Sequence, residues 1–213
     1  LTAIQGSSEL MERYALNDEK RKQIAHLIHS ESKRLGRMIE VFLNVERLSA
    51  GEMELKREPF DGAELMKGCV ERVRPLADRK QIGIAQDQIA APLEGDRELM
   101  EYAFYNLLTN AVKYSPPRTE VSVFGQRDGE SVRISVQDQG IGMDATEVRQ
   151  VFQKFYRTRK AEESGEAGTG IGLSIVEQII VQHGGRIEVS SSPGRGSCFT
   201  LVLPARAAAA CAE

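Results

Sequence analysis

The sequence predicts an α+β chain: a helical hairpin followed by an α/β sandwich, in which a mixed sheet is covered on one face by helices. Three observations carry this reading. Glycine and proline are unevenly spread, with no proline before Pro59 and 12 of the 19 glycines between Gly125 and Gly196, so a helical start gives way to a loop-punctuated remainder. From Lys20 to Ser49, the apolar residues Ile24, Ile28, Leu35, Met38, Phe42 and Val45 recur at alternating four- and three-residue steps, a heptad seam interrupted only by Glu31. Further on, Glu120–Gln126 and Ser131–Asp138 alternate apolar with polar residues on either side of Arg127-Asp128-Gly129-Glu130, whose Asp-Gly is a strong hairpin signal.

The elements follow in order. Residues 1–16 read as a helix with Leu1, Ile4, Met11 and Ala15 on one stripe, ended by Asn17-Asp18-Glu19, which also caps the next helix. That second helix carries the seam, widened by Leu27, Ile39 and Leu43, and two helices cannot bury so broad a stripe alone. Doubling into a four-helix bundle by dimerisation covers it, and so does packing of the hairpin on the rest of its own chain. A short strand at Glu54–Phe60 leads to a helix from Asp61, its N-cap, to about Lys80. A strand near Ile82–Gln86, a helix capped by Asp96 and running through Lys113, and the hairpin come next. A short helix is expected at Ala145–Phe152, then a polar stretch without periodicity at Thr158–Gly168, then a helix from about Gly170 to His183, stopped by Gly184-Gly185. Two strands, Arg186–Ser191 and Ser197–Leu203, close the fold around Pro193-Gly194-Arg195-Gly196. Residues 1–50 thus form one expected domain, residues 51–205 a second, and residues 206–213 an alanine-rich tail expected to be disordered.

Composition narrows the function. With 28 Lys and Arg against 31 Asp and Glu, the net charge of −3 lacks the basic excess of a general nucleic-acid binder. No apolar run approaches the ~20 residues that span a bilayer, and Leu1 opens on an amphipathic stretch with no basic leader. The absence of an initiator Met points to a piece of a longer protein. Cys69, Cys198 and Cys211 form no C-x-x-C pair, which leaves no zinc knuckle or thioredoxin-type site and favours a reducing compartment.

Phosphate-binding motifs separate cleanly. There is no G-x-x-x-x-G-K-[ST], no H-R-D and no D-F-G, so a P-loop and a eukaryotic-type kinase core are excluded. Gly168-Thr169-Gly170-Ile171-Gly172-Leu173 has strictly alternating glycines after a polar loop rather than a strand, which is not a dinucleotide fingerprint. It does leave a helix start free of side chains, where backbone N–H groups and the helix dipole favour an anion. Asp138-Gln139-Gly140-Ile141-Gly142 places a carboxylate where a strand meets a turn, able to accept from an exocyclic amine; alone it also reads as an ordinary strand-ending turn. Asn106, Asn110 and Lys113 fall at i, i+4 and i+7 on one helix face, opposite Leu107, Leu108 and Ala111. An amide oxygen suits Mg²⁺ and an ammonium suits phosphate, although such a face is also compatible with simple solvation.

In this order and spacing, these elements resemble the catalytic domain of two-component sensor histidine kinases, in the GHKL ATPase superfamily with its Bergerat-type ATP-binding fold. Asn106–Tyr114 is similar to the N box, Asp138–Gly142 and Gly168–Leu173 to the two glycine boxes, Val151–Arg157 to the F box, and Gly194-Arg195-Gly196-Ser197 with Phe199 to the terminal glycine turn. The resemblance implies ATP and Mg²⁺ as cofactors. Asn110 would hold the metal and Asn106 would assist. Lys113 would contact phosphate, and Tyr114 would pack near the nucleotide. Asp138 would bind the adenine amine, with Gly140 and Gly142 letting the base approach. Gly168, Thr169, Gly170, Ile171, Gly172 and Leu173 would admit the triphosphate. Thr158–Ala167 would be a lid whose base Phe152 and Phe155 anchor, and Arg157 would reach the γ-phosphate. Implied partners are a response-regulator receiver domain and a second copy joined through the hairpin. No nucleic acid or membrane contact is implied, and the location would be cytoplasmic, with membrane anchoring of the parent protein left open.

Two departures sharpen the resemblance. Gyrase-type relatives carry a water-activating glutamate four residues before the metal asparagine. That place is Asn106 here, so transfer to a side chain fits better than hydrolysis. The family's acceptor segment, H-E-[LF]-[RK]-[TN]-P, fits none of His26, His29 and His183, so this fragment is expected to bind ATP without phosphorylating itself. A serine kinase of the anti-sigma type shares the ATP fold but lacks the heptad hairpin. A non-catalytic nucleotide-binding module is opposed by the intact Asn110, Asp138 and glycine boxes.

Overall fold

The structure, a computed structural model, describes residues 2–87, 92–166 and 168–205. The expected tail, 206–213, lies outside them, as does Ala167. The chain divides into two compact units, Leu1–Arg47 and Leu48–Glu213.

The first unit holds two helices, α1 (Thr2–Arg13) and most of α2 (Asp18–Ser49). Asn17 Oδ1 accepts the Lys20 N–H at 2.9 Å and opens α2. α1 ends three residues earlier than its apolar stripe predicts, because Tyr14 to Asn17 are taken by the connection. On α2 the seam positions are shielded to different degrees: Val45 is fully buried, while Ile24, Ile28, Leu35, Met38 and Phe42 are half-buried. Leu27, Ile39 and Leu43 remain exposed, as do Leu10 and Tyr14 on α1.

In the second unit a five-stranded mixed sheet has the order β2-β4-β5-β7-β6. Its strands are β2 (Gly83–Gln86), β4 (Glu120–Asp128), β5 (Ser131–Gln137), β6 (Arg186–Ser191) and β7 (Ser197–Pro204). β2 and β4 are parallel and the other pairs antiparallel. One face presents Val121, Val123, Val132, Ile134, Val136, Phe199, Leu201 and Leu203, all buried, against α3 (Gly62–Arg79), α4 (Arg97–Tyr114) and α7 (Gly172–Gln182). The other mixes apolar Phe124 and Val202 with polar groups, among them the Ser135 and Thr200 hydroxyls 2.8 Å apart and an ion pair between Arg133 and Glu188 at 2.5 Å. A separate antiparallel pair joins β1 (Glu58–Asp61) to β3 (Pro92–Gly95).

Local signals place most boundaries. Asp61 caps α3 and Asp96 caps α4, each accepting backbone N–H groups of the first turn. Asp144 and Glu147 form a capping box on the short α5 (Ala145–Gln150), which stops two residues before the predicted end. Three expectations need correction. The strand predicted from Glu54 pairs only from Glu58, where β3 supplies a partner. β3 itself was not foreseen, since four residues opening on a proline carry little strand pattern. The stretch Thr158–Gly168 contains a five-residue helix, α6 (Arg159–Glu163), capped by Thr158.

Candidate nucleotide site

Asp138 stands just past the end of β5, 7% exposed. Its Oδ1 accepts the N–H groups of Gly140 at 2.7 Å and Ser197 at 3.1 Å, and its own N–H donates to the Ser197 carbonyl at 2.8 Å. Burial pushes the carboxyl above its usual range, while the two N–H donors pull it back down. Among the described residues no hydrogen bond reaches Oδ2, which leaves one acceptor for an amine. Ser197 was named only within the terminal glycine turn and given no role of its own. Its position directly after the Gly194-Arg195-Gly196 turn was the available signal.

The glycines around Asp138 serve the protein before any ligand. A Cβ on Gly196, at φ +84°, would stand 2.0 Å from the Asp138 carbonyl oxygen, and one on Gly142, at φ +60°, 1.9 Å from that of Ser192. A Cβ on Gly140 would lie 2.6 Å from the Tyr114 carbonyl, which accepts the Ile141 N–H at 3.3 Å. Three loops thus interlock at the end of α4, and the Gly194 N–H donates to Ile141 at 2.8 Å. The expectation that Gly142 clears space for a base therefore has a rival explanation, namely the turn packed against it.

α4 brings Asn106, Asn110, Lys113 and Tyr114 to one side, all half-buried, with Leu107, Leu108 and Ala111 buried as expected. Asn106 Nδ2 donates to the Tyr102 carbonyl at 3.0 Å. Its Oδ1 lies 2.8 Å from where a Cβ on Gly172 would stand, so the amide meets the first turn of α7. α7 starts at Gly172, two residues later than predicted, because Gly170 at φ +71° is a turn residue. Asp61, Asp96, Asp144 and Thr158 cap the helices that follow them, but Ile171 gives α7 no side-chain cap. A helix N-terminus left this way favours an anion. Ile171 and Leu173 are half-buried beside it and Thr169 is exposed.

The segment between the F-box residues and α7 is folded on itself. Arg157 donates to the carbonyls of Ala161 at 2.6 Å, Glu166 at 2.8 Å and Gly168 at 3.5 Å. Reaching a γ-phosphate, as expected from the resemblance, requires the guanidinium to give these bonds up. Glu166 pairs with Lys80, the C-cap residue of α3, at 3.0 Å, and the Lys80 ammonium also donates to the Lys113 carbonyl. Neither Lys80 nor Glu166 was a candidate, since a pair 86 positions apart leaves no local pattern. Phe152 is half-buried, but Phe155 is 75% exposed at φ +68°, so its side chain does not anchor the segment. Its backbone does, by donating to the Gly170 carbonyl at 2.9 Å. A Cβ on Gly168 would meet Arg157 and the Tyr114 hydroxyl at 3.6 Å, ordinary contact.

Residues 95–207, more than half of the chain, match the family described as histidine kinase-, DNA gyrase B-, and HSP90-like ATPase. The chain belongs to this ATPase family. Residues 1–51 match the His Kinase A (phospho-acceptor) domain. The sensor-like histidine kinase SenX3 of Mycolicibacterium smegmatis is 36% identical over 187 residues, covering 86% of this chain and 48% of that protein. The circadian input-output histidine kinase CikA of Thermosynechococcus vestitus is 31% identical over 211 residues, covering 96% of this chain and 29% of that one. Among solved structures, a mycobacterial sensor histidine kinase, MprB, aligns with a TM-score of 0.63 at 32% identity, over 72% of this chain and all of that one. The Acinetobacter baumannii histidine kinase AdeS shares the fold, with a TM-score of 0.73 at 19% identity over 97% of this chain and 95% of that one. The chain spans about half or less of the length of the curated relatives it matches. Membership of this ATPase family makes the matched region, residues 95–207, an ATP-binding domain. No helix among the described residues is long and apolar enough to cross a membrane.

Proposed function

We propose that the chain is the dimerisation and ATP-binding portion of a two-component sensor histidine kinase. In this reading residues 1–50 dimerise and residues 51–205 present the γ-phosphate of ATP to a histidine, for relay to a response-regulator receiver domain. The observation that carries the proposal is the arrangement around the C-terminal half of α4. Asp138, with Oδ2 unanswered, lies at one side, and the uncapped start of α7 touches Asn106 at the other. Adenine would donate its exocyclic amine to Asp138, and the triphosphate would lie along α4 toward the first turn of α7. Gly140, Gly142 and Tyr114 would line the base side, with Phe152 below the lid. Gly168, Thr169, Gly170, Ile171, Gly172 and Leu173 would line the phosphate side, and Lys113 would add charge there.

The donor set fits Mg²⁺ as a companion of the nucleotide. Among the described residues no group of three or more His, Cys, Asp or Glu side chains could hold a metal. The amide oxygen of Asn110, with phosphate oxygens and water, suits a hard cation that keeps much of its water shell. Bound there, Mg²⁺ would neutralise phosphate charge. Phosphoryl transfer needs positioning and charge neutralisation more than covalent chemistry.

Transfer rather than hydrolysis is supported at position 106. An amide bonded to the Tyr102 carbonyl cannot deprotonate a water as a carboxylate does. The acceptor is not His183, buried with both ring nitrogens engaged, nor His26 or His29, which lack the acceptor pattern. The exposed Leu10, Tyr14, Leu27, Ile39 and Leu43 support a second hairpin as the partner of the first. The test is to mix the chain with Mg²⁺, γ-labelled ATP and a separate hairpin bearing the H-E acceptor segment. Label on the acceptor histidine, lost in Asn110→Ala, is expected; failure of the chain to bind ATP at millimolar concentration rejects the reading.

A further inference from the structure

The two helices that carry the nucleotide site meet again at their far ends. At 1.5 Å per residue, α4 is about 27 Å long and α7 about 16 Å. Asn106 to Tyr114 occupy the C-terminal half of α4, and the site uses the N-terminal turn of α7. At the other end of α7 its C-cap, His183, is 3% exposed. His183 Nε2 accepts the Asp96 N–H at 2.9 Å, and Nδ1 lies 2.7 Å from the Ile179 carbonyl. A carbonyl only accepts, so Nδ1 carries the proton and Nε2 is the bare acceptor. Asp96 is the N-cap of α4, its Oδ1 accepting from Glu98 and Leu99, both at 3.1 Å. A Cβ on Gly95 would stand 2.2 Å from His183 Cδ2, so the ring fills the place of a side chain and leaves the joint no slack. α7 therefore bears on α4 at two points, His183 on Asp96 and Gly172 on Asn106.

We propose that His183 is a positioning residue for nucleotide binding: its imidazole sets where α7 lies along α4, and so the gap between the Asn106–Asn110 face and the uncapped first turn of α7. The proposal rests on the reading that Mg-ATP binds there. It goes further by making a buried group at the opposite end of both helices responsible for the shape of the site.

Protonation breaks the joint. An imidazolium has N–H on both nitrogens, so Nε2 can no longer accept from Asp96. The charged groups around the ring are Asp96 at the head of α4, Arg57 ahead of β1 and Glu94 on β3. Arg57 and Glu94 line a cavity of about 210 Å³ that His183 also borders. Burial, with Arg57, holds the imidazole below its ordinary value of 6.5, against the upward pull of the Ile179 carbonyl and Asp96. The stabilisation from the neutral ring is therefore complete above 6.5 and is lost as pH falls below it, toward the folded value. By reciprocity, a nucleotide that prefers the intact joint lowers the His183 pKa further.

The test uses the full chain as wild type, His183→Gln and His183→Asn. Glutamine reaches the Nε2 position with an oxygen that accepts and does not titrate; asparagine ends near Nδ1 and leaves the Asp96 N–H unanswered. Affinity for a non-hydrolysable Mg-ATP analogue is measured by calorimetry across the imidazole range, and the His183 ring is titrated by NMR with and without the analogue. His183→Asn is expected to bind about tenfold more weakly at neutral pH, the loss of about one hydrogen bond, and His183→Gln within about twofold of wild type. Wild type should lose affinity relative to His183→Gln as pH falls, which cancels contributions from the phosphates and from Asp138, and the His183 pKa should drop when the analogue binds. An unchanged His183 pKa, or a wild-type pH profile shared by His183→Gln, overturns the proposal, and the NMR titration decides it even if His183→Asn fails to fold. A wild-type chain that binds no analogue at millimolar concentration overturns the nucleotide reading itself.

Discussion

The loop around Asp138 and the segment of residues 158–166 flank the same helix, yet they are held in different ways. Around Asp138 backbone groups do most of the holding: the Asp138 N–H donates to the Ser197 carbonyl, the Ser197 N–H donates to the Asp138 carboxylate, the Gly194 N–H donates to Ile141, and two positive-φ glycines have no room for a side chain. The second segment is tied mainly by side chains, through the Arg157 guanidinium on three carbonyls and the Lys80–Glu166 pair, with the Phe155 N–H on Gly170 as the backbone anchor beside it. Side-chain ties that are partly solvated are weak and exchangeable, whereas an interlocked backbone is stiff. Under the proposed function the difference teaches a division of labour: the side that would take the base is built in advance, and the side that would take the phosphates is free to open.

Substitutions can break that contrast, in decreasing order of effect. Gly196→Ala should cost on the order of 3 kcal/mol in thermal unfolding, because the added Cβ meets the Asp138 carbonyl at a positive φ. Asp138→Asn should keep the bonds from Gly140 and Ser197 through its carbonyl oxygen while turning an N–H₂ toward the adenine amine. ATP affinity should fall about 10- to 100-fold by calorimetry. Its stability should not fall at neutral pH. The buried carboxyl is raised above 3.8, so its contribution is complete below that value and is lost as pH rises through the folded pKa, a loss that asparagine lacks. Gly168→Ala should leave the free energy of unfolding within about 0.5 kcal/mol of wild type, since the space exists, yet weaken ATP binding measurably if that space belongs to phosphate. Glu166→Gln should change stability by less than about 1 kcal/mol, because the pair is partly exposed, while speeding hydrogen exchange across residues 158–166. Exchange as slow as in wild type would show that the segment does not depend on that pair.

What could be read from the sequence follows the same division. Asp61 and Asp96 were legible as caps because a cap acts within three residues, and the asparagines of α4 because a helix face is a local period. The order and spacing of the asparagine helix and the two glycine boxes pointed to the ATPase family with no coordinates. β3 was not legible, since Pro92–Gly95 is a strand only because β1 lies beside it. Nor was the Lys80–Glu166 tie, whose partners share no period. Gly142 was legible as a required glycine but not for its reason, because the Ser192 carbonyl that excludes a side chain is about fifty positions away in the chain.

The placement of adenine on Asp138 is the central claim, and nucleotide discrimination tests it most directly. Binding of ATP and of inosine triphosphate, which carries a carbonyl oxygen in place of the exocyclic amine, is measured for wild type and Asp138→Asn. Wild type should prefer ATP by about tenfold or more, and Asp138→Asn should lose or reverse that preference, because its N–H₂ can donate to the inosine oxygen. The same preference for ATP in both proteins would contradict the account.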